Sequence, residues 1–131
     1  MDKSSDAEKN LWVGLIILLF SLIAVSAHAG DYGDTVQTVI LTNNTGRYID
    51  FEFTDDGHGH VWPGGDQAYR LPPHETTKTS LNCYRGQKIC YGAWVRGDDE
   101  QYWGAGNANS QHCNDCCFRC EGDTAKYRLS E

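Results

Sequence analysis

The strongest pattern of apolar and polar positions in the chain is the alternation of Ile49, Phe51 and Phe53 with polar or amphipathic neighbours. A two-residue period of this kind is typical of a β-strand with one buried face. The preceding residues 35–42 are rich in β-branched side chains, and residues 43–46, Asn-Asn-Thr-Gly, are typical of a tight reversal. The two strands are therefore predicted to form a β-hairpin.

Shorter runs of strand-forming residues continue along the rest of the chain, separated by turns rich in glycine and aspartate. Two of them, 76–83 and 88–95, are predicted to pair through a turn at 84–87. Six or seven short strands at this spacing predict an all-β domain, either a small antiparallel β-sandwich or a barrel. The strands predicted after the first two are 67–71, 76–83, 88–95, 101–103 and 125–129.

The first 29 residues have the organisation of a signal peptide. An apolar run at 11–27 follows a short polar segment, and the small-x-small triplet Ala-His-Ala stands at 27–29. Cleavage there leaves 30–131 as the mature domain. The run is 17 residues long, at the lower end of the ~17–25 residues of a membrane span, so an uncleaved membrane anchor is the alternative. Both alternatives place the domain outside the cytoplasm, in a secreted or periplasmic location.

The acidic balance of the predicted mature domain restricts the partners that it binds. Residues 30–131 carry nine lysines or arginines against fifteen aspartates or glutamates, a formal net charge near −6. That charge repels phosphate backbones and anionic lipid surfaces, and no run of basic residues offsets it. Nucleic acid is therefore excluded as a partner, and a membrane contact is expected only through an uncleaved leader.

All six cysteines lie downstream of the apolar leader, and this order predicts three disulfides formed in an oxidising compartment. A domain of 102 residues also has a small core, which cross-links commonly reinforce. Six cysteines allow 15 connectivities, and the sequence does not choose among them. The predicted disulfide residues are Cys83, Cys90, Cys113, Cys116, Cys117 and Cys120.

The last four of these cysteines have a second interpretation. If 107–120 forms the one helix predicted for the mature domain, Cys113, Cys116, Cys117 and Cys120 share one helix face at i, i+3, i+4 and i+7. Four thiolates on one face would bind zinc or an iron–sulfur cluster. Disulfides are the preferred interpretation, because adjacent cysteines send their bridges in different directions and export favours oxidation.

A second candidate metal site is the loop Asp-Asp-Gly-His-Gly-His at 55–60. Asp55, Asp56, His58 and His60 combine carboxylate and imidazole ligands, and an extended backbone would place both imidazoles on one side. Zn²⁺ or Cu²⁺ is the metal that this set would hold, and no other cofactor is indicated. The alternative is an ordinary solvent-exposed connection between strands, since Asp-Gly and His-Gly are turn formers.

Aromatic residues beside glycines and carboxylates form the candidate ligand-binding site. Trp62, Tyr102 and Trp103 carry flat rings with a polar edge, and Asp98 and Asp99 lie close to the second and third in sequence. Exposed rings stack on sugars, while carboxylates accept hydrogen bonds from hydroxyl groups. The alternative is core packing, because a small sheet also uses Trp and Tyr to bury a large area.

The tripeptide Asn-Asn-Thr at 43–45 matches an N-glycosylation acceptor. It is also ordinary turn sequence, so Asn43 is either a glycosylated surface residue or part of the predicted reversal. The choice depends on whether the host glycosylates its exported proteins.

Four motifs give the chain a resemblance to a known group of proteins. They are Trp-Pro-Gly-Gly at 62–65, Cys-Tyr-Gly-Ala-Trp at 90–94, Tyr-Trp-Gly at 102–104 and Cys-x-Asp-Cys-Cys-x-x-Cys at 113–120. The chain resembles, over most of its mature part, a family of small exported bacterial proteins that carry this combination. The resemblance implies a secreted or periplasmic location and brings no activity with it. The predicted metal loop belongs to none of these motifs.

These features predict a non-catalytic secreted or periplasmic binding or structural module, whose partner is a glycan, a peptide or a protein. One alternative is a periplasmic metal-binding protein that uses the 55–60 loop. Another is a small secreted hydrolase assembled from scattered residues, for which the candidates are His74, Asp98, Glu100 and His112. The sequence contains no complete catalytic motif that would support the hydrolase.

Overall fold

The computed structural model describes residues 32–57 and 59–131, so the predicted leader at 1–29 and His58 lie outside the described residues. No helix in the described part is long and apolar enough to cross a membrane. This part contains one 3₁₀ turn at Asn107–Asn109 and nine strands. The strands are β1 (Thr35–Asn43), β2 (Ile49–Asp55), β3 (Val61–Trp62), β4 (Tyr69–Leu71), β5 (Thr76–Cys83), β6 (Lys88–Val95), β7 (Asp98–Gly104), β8 (Cys117–Arg119) and β9 (Thr124–Leu129).

The strands form two sheets, which confirms the predicted all-β fold and gives it the two layers of a β-sandwich. In the three-stranded sheet, β1 lies between β5 and β9. It pairs with β5 antiparallel and with β9 in parallel, so one strand pair departs from the antiparallel prediction. In the six-stranded sheet the order is β3, β2, β6, β7, with β4 also paired to β2 and β8 to β6.

The core lies between the two sheets and is built by the predicted two-residue alternation. β1 directs Val39 and Leu41 inward, and β2 directs Ile49, Phe51 and Phe53 into the same cluster. All five side chains are at most 1% exposed. The two phenylalanine rings meet edge to face, with 5.8 Å between their centroids. Burying each such side chain stabilises the fold by about 1.5–3 kcal/mol relative to leaving it exposed.

The predicted hairpin between 35–42 and 47–53 is wrong in its pairing, although both strands are present. β1 belongs to the three-stranded sheet and β2 to the six-stranded sheet, so the chain crosses the sandwich between them. The predicted pairing of 76–83 with 88–95 is wrong in the same way, because β5 and β6 also lie in different sheets. An alternating sequence pattern shows only that one face of a strand is buried. That face is buried between two facing sheets as well as in a hairpin, so the pattern does not identify the neighbouring strand.

Asn43 fixes the first of these crossings. Its Nδ2 donates hydrogen bonds to the carbonyl oxygens of Arg47, Leu71 and Pro72 at 2.8, 3.3 and 3.0 Å. Its Oδ1 accepts hydrogen bonds from the backbone N–H and the hydroxyl of Thr45 at 2.9 and 2.6 Å. Because Asn43 is fully buried, its side-chain nitrogen is not available for glycosylation in the folded domain. The structure therefore favours the turn interpretation of this tripeptide.

Three disulfides are present, as predicted. The first joins the end of β5 to the segment between β8 and β9, and the second joins directly paired positions of β6 and β8. The third closes a loop between cysteines only three positions apart in sequence. In order, the bridges are Cys83–Cys120, Cys90–Cys117 and Cys113–Cys116.

The helix predicted at 107–120 is wrong. The segment consists of the 3₁₀ turn, an irregular stretch and strand β8. Ala108 and Asn109 have φ values of 57° and 53°, a left-handed backbone that does not continue an α-helix. The four cysteines therefore do not share a helix face, and Cys120 is bonded to Cys83 at the end of β5.

Candidate functional site

A cleft of about 620 Å³ lies on the outer face of the six-stranded sheet. Its floor carries Asp50, Glu52 and Thr54 of β2, which alternate with the buried phenylalanines of that strand and so point away from the core. Trp94 of β6 extends the floor, because the register of the two strands sets it opposite Asp50. Two loops from distant parts of the chain form the walls.

Glu52 is a carboxylate held on the cleft floor with little access to solvent. It is 9% exposed, and its Oε1 accepts a hydrogen bond from the backbone N–H of Ala108 at 2.8 Å. In the described part of the chain this is the only hydrogen bond that the carboxylate accepts. Burial raises the pKa of Glu52 above its usual range, and the Ala108 hydrogen bond opposes the shift without cancelling it. The second carboxylate oxygen accepts no hydrogen bond within the described residues and is not fully shielded from solvent.

The wall above Glu52 depends on a glycine in the neighbouring strand. Gly92 lies opposite Glu52, and a Cβ at this position would lie 2.0 Å from the carbonyl oxygen of Gly106. The missing side chain lets the segment at 105–109 cross close over the sheet. There Ala108 adopts a left-handed conformation, with φ 57° and ψ 31°, while its N–H donates to Glu52. Left-handed non-glycine residues are strained, and such residues cluster at functional sites.

The opposite wall is the turn that follows the Trp-Pro-Gly-Gly motif. Gly64 and Gly65 have φ values of 82° and 65°, a left-handed region that glycine adopts without steric cost. The turn places Asp66 and Gln67 along the cleft, across from the two asparagines of the 3₁₀ turn. The motif therefore shapes a wall of the cleft.

A row of outward-facing side chains crosses four strands beside Glu52. From β4 through β2 and β6 to β7, the row consists of Arg70, Asp50, Trp94 and Tyr102. Arg70 Nε lies 3.5 Å from Asp50 Oδ1, so this carboxylate has a cationic partner. Trp94 is 8% exposed and Tyr102 is 42% exposed, which makes the tyrosine the accessible ring of the row.

The cleft is acidic and rich in hydrogen-bonding groups. The described lining contains three acidic residues, Asp50, Glu52 and Asp66, and one basic residue, Arg70. Its formal charge at neutral pH is therefore −2. Such a balance disfavours anionic ligands. The amides of Gln67 and of the wall asparagines both donate and accept hydrogen bonds. The lining thus suits an uncharged ligand with many hydroxyl groups.

The two tryptophans of the predicted ligand site have structural roles. Trp62 is 7% exposed within the core, and its indole N–H donates to the carbonyl oxygen of Asn82 at 3.0 Å. This bond ties the six-stranded sheet to β5 of the other sheet. Trp103 is half-buried, and its indole N–H donates to the carbonyl oxygen of Ser130 at 2.8 Å. The core-packing alternative describes both rings better than a stacking platform does.

The other three predicted ligand-binding residues lie on β7. Tyr102 stands beside Trp94 on the cleft side of the sheet, whereas Asp98 forms its hydrogen bonds within its own strand. Asp99 Oδ2 accepts a hydrogen bond from Asn107 Nδ2 at 3.4 Å and so contacts the cleft wall. The five residues are not brought together in one cavity. Neither Tyr102 nor Asp99 lines the cleft itself, and Tyr102 lines a separate groove together with Trp103.

The described residues of the predicted metal loop differ in their burial and in their contacts. Asp55 ends the inward row of β2 and is 3% exposed. Asp56 Oδ2 lies 2.8 Å from Lys88 Nζ. His60 stacks on Tyr32 with 3.7 Å between the ring centroids. The fourth member lies outside the described residues, so a metal site in this loop stays a prediction.

The candidate hydrolase residues are scattered. His74 is exposed in the loop between β4 and β5, and Asp98 begins β7. Glu100 lines a groove with Tyr102, while His112 lines a different groove beside the cysteines. Neither groove contains a second member of the set. The described chain therefore does not assemble these residues into a catalytic group.

Sequence reasoning missed Asp50 and Glu52 as site residues. They form the polar side of an alternating strand, which is also how a plain solvent-exposed face looks. A signal was present in Gly92 and Gly104, because glycines inside strand patterns mark places where another backbone approaches closely. These two glycines predict that another segment covers this face of the sheet, but they do not identify the segment.

No protein-family model matches the chain, and no curated protein matches it. The fold and the cleft define the protein as a disulfide-linked β-sandwich with an acidic cleft on the outer face of its larger sheet.

Proposed function

We propose that the protein is a non-catalytic binding module and that the cleft at Glu52 holds a neutral glycan. The observation that carries the proposal is the state of Glu52, a carboxylate that is 9% exposed and accepts one hydrogen bond within the described chain. A buried carboxylate destabilises the fold unless hydrogen-bond donors reach it. A sugar hydroxyl in the cleft would be such a donor.

The rest of the lining supports an uncharged ligand. Asp50 is already paired with Arg70, which leaves Glu52 and Asp66 as the acidic groups of the lining that form no ion pair within the described residues. Carboxylates and amides both hydrogen-bond to hydroxyl groups, whereas the carboxylates repel uronic acids, sulfated sugars and phosphates. Trp94 of the cleft floor adds apolar surface for the face of a sugar ring, whereas its more exposed neighbour Tyr102 lies outside the lining.

The cleft supports binding rather than bond cleavage. Glycoside hydrolysis commonly needs two carboxyl groups, one as general acid and the other free to act as a base or nucleophile. The neighbour of Glu52 on the same strand face is Asp50, which is engaged with Arg70 at 3.5 Å. The third carboxylate of the lining, Asp66, belongs to the turn that forms the opposite wall. Among the described lining residues there is no histidine or cysteine to act as an alternative nucleophile or base.

We place this module outside the cytoplasm as part of the same proposal. Three disulfides in one small domain support that location, because oxidising compartments preserve cystines. The formal net charge of −7 for the whole chain also disfavours nucleic acids and anionic lipids as partners. An envelope or extracellular glycan fits both features.

The ligand class is tested by isothermal titration calorimetry on the oxidised protein. The probes are neutral hexasaccharides of glucose, mannose and N-acetylglucosamine, a uronic acid oligomer of equal length and a lysine-rich hexapeptide. We expect at least one neutral oligosaccharide to bind and the uronic acid oligomer to give no heat of binding. Binding of the peptide or the uronic acid oligomer alone would contradict the proposal.

The position of the site is tested with Glu52→Gln. Loss of a charge-assisted hydrogen bond removes about 1.5–3 kcal/mol, so we expect the affinity for the bound oligosaccharide to fall about ten- to hundred-fold. Glu100→Gln is the matched control, because Glu100 is exposed on β7 and does not line the cleft. Equal affinities of the Glu52 variant and the parent protein would place the ligand elsewhere.

A further inference from the structure

Two of the disulfides form a compact cluster of four sulfur atoms. Cys116 and Cys117 are neighbours in sequence and belong to different bridges, and their Sγ atoms lie 3.7 Å apart. The Sγ atoms of Cys90, Cys116 and Cys117 all lie within 4.8 Å of one another. Cys113 is bonded to Cys116 and so adds the fourth sulfur. Within 32–57 and 59–131 this is the one convergent group of three or more potential metal ligands.

The distance between the two sulfurs that belong to different bridges matches that in a tetrahedral zinc site. With Zn–S bonds of about 2.3 Å, four thiolates at the corners of a tetrahedron lie about 3.8 Å from one another. The observed 3.7 Å between the Cys116 and Cys117 sulfurs already has this value. Four cysteines without a water ligand are the donor set of a structural zinc site. The set differs from the helical one predicted from the sequence, because Cys90 takes the place of Cys120.

Backbone hydrogen bonds hold three of the ligands near one another independently of the bridges. β6 and β8 are paired in register, with Cys90 opposite Cys117. The N–H of Tyr91 donates to the carbonyl oxygen of Cys116 at 3.0 Å. These backbone contacts do not involve the sulfur atoms, so Cys90, Cys116 and Cys117 stay on the same part of the sheet for as long as β6 and β8 remain paired.

A second cavity gives access to the cluster. It has a volume of about 340 Å³, and Cys90, Cys113 and Cys117 are among its lining residues. His112 borders the same cavity next to Cys113. Cys113 and Cys117 are half-buried, whereas Cys90 is 5% exposed and Cys116 is fully buried. A reductant and then a metal ion therefore reach the cluster from one side.

We propose that reduction of Cys90–Cys117 and Cys113–Cys116 converts this cluster into a site for one zinc ion. Each disulfide accepts two electrons and two protons from a dithiol, which becomes a disulfide itself, and two cysteine thiols form. Zinc binding then displaces the four thiol protons as four Zn–S bonds form. The oxidised protein has no thiolate to offer at this place and binds no zinc there. Glycan binding in the Glu52 cleft and zinc binding at this cluster are independent of each other.

The test compares the oxidised protein with protein reduced by excess dithiothreitol and desalted under nitrogen. Both samples are treated with Zn²⁺, and metal content is measured after a second desalting. Free thiols are then alkylated with iodoacetamide and located by peptide mass spectrometry, with and without zinc. We expect one zinc per reduced chain and none per oxidised chain. Zinc should protect Cys90, Cys113, Cys116 and Cys117 from alkylation and leave the labelling of the other two cysteines unchanged.

Two further measurements fix the ligand set without relying on a variant that fails to fold. Co²⁺ added to the reduced parent protein is expected to show the absorption bands of tetrahedral thiolate coordination. Cys113→Ser, at a half-buried position, is expected to lose the retained zinc. Zinc-dependent protection of Cys83 and Cys120, octahedral Co²⁺ spectra, or full zinc retention by the Cys113 variant would each overturn the proposal.

Discussion

Replacement of Cys83 and Cys120 together by alanine is expected to lower the free energy of unfolding by about 4 kcal/mol. The bridge joins residues 37 positions apart, and a chain-entropy description gives longer closed loops the larger stabilisation. It also ties the end of β5 in one sheet to the segment that follows β8 in the other. A loss of this size is a large fraction of the total stability of a small domain.

The matched control is the double replacement of Cys113 and Cys116. Their bridge spans three positions, so the same description gives a loss of about 2 kcal/mol. Urea denaturation of both variants and of the parent protein, followed by tryptophan fluorescence, measures the difference. A greater loss for the short bridge than for the long one would show that loop closure does not govern the stability of this domain.

Asn43→Ala is expected to lower the free energy of unfolding by about 3 kcal/mol. The side chain is fully buried and hydrogen-bonds to backbone groups of two separate segments, one at Thr45 and Arg47 and the other at Leu71 and Pro72. Truncation leaves several of these groups without a partner in a place that water does not reach. Each unsatisfied buried group destabilises the fold by about 1–3 kcal/mol.

Asn44→Ala provides the control for that substitution. Asn44 is the same residue type one position later, and it is exposed. Its backbone N–H donates to the carbonyl oxygen of Leu129, a bond that alanine retains. We expect a change within about 0.5 kcal/mol. If the two alanine variants unfold at the same urea concentration, the buried hydrogen bonds of Asn43 do not hold the crossing between the sheets.

The alternation of Ile49, Phe51 and Phe53 was enough to predict a strand and its buried face. The side-chain direction along a strand follows from local backbone geometry, so sequence carries it. The pairing of that strand does not follow, because it depends on which distant segments close over the same face. The Asn-Asn-Thr-Gly sequence suits a hairpin turn and equally suits a crossing between sheets, and the buried contacts of Asn43 decide between them.

The cleft could be predicted from the sequence even less well than the pairing of the strands. Asp50 and Glu52 were recognisable as an outward-facing polar pair, whereas the burial of Glu52 comes from a loop more than fifty positions away in sequence. The disulfide between Cys113 and Cys116 closes the segment directly after that loop. The number of cysteines predicted three bridges, but the choice among 15 connectivities depends on tertiary contacts, such as the pairing of β6 with β8 that sets Cys90 opposite Cys117.

Glu52 links the stability of the fold to its proposed function. Because burial raises its pKa, the folded protein binds a proton at this site more tightly than the unfolded chain does. As the pH rises from the ordinary pKa of glutamate, about 4.3, through the raised pKa, the free energy of unfolding falls. Glutamine keeps an acceptor for the N–H of Ala108 and carries no charge. A carboxylate that destabilises the unliganded fold is expected where a ligand requires it.

The most direct measurement is the free energy of unfolding of the parent protein and of Glu52→Gln, determined by urea denaturation at intervals from about pH 4 to about pH 7. Other titrating groups are common to both proteins, so the difference between the two curves reports on Glu52. We expect the variant to become increasingly more stable than the parent as the pH rises, and the difference to level off above the raised pKa. Curves that stay parallel, or a variant that becomes less stable with rising pH, would contradict it.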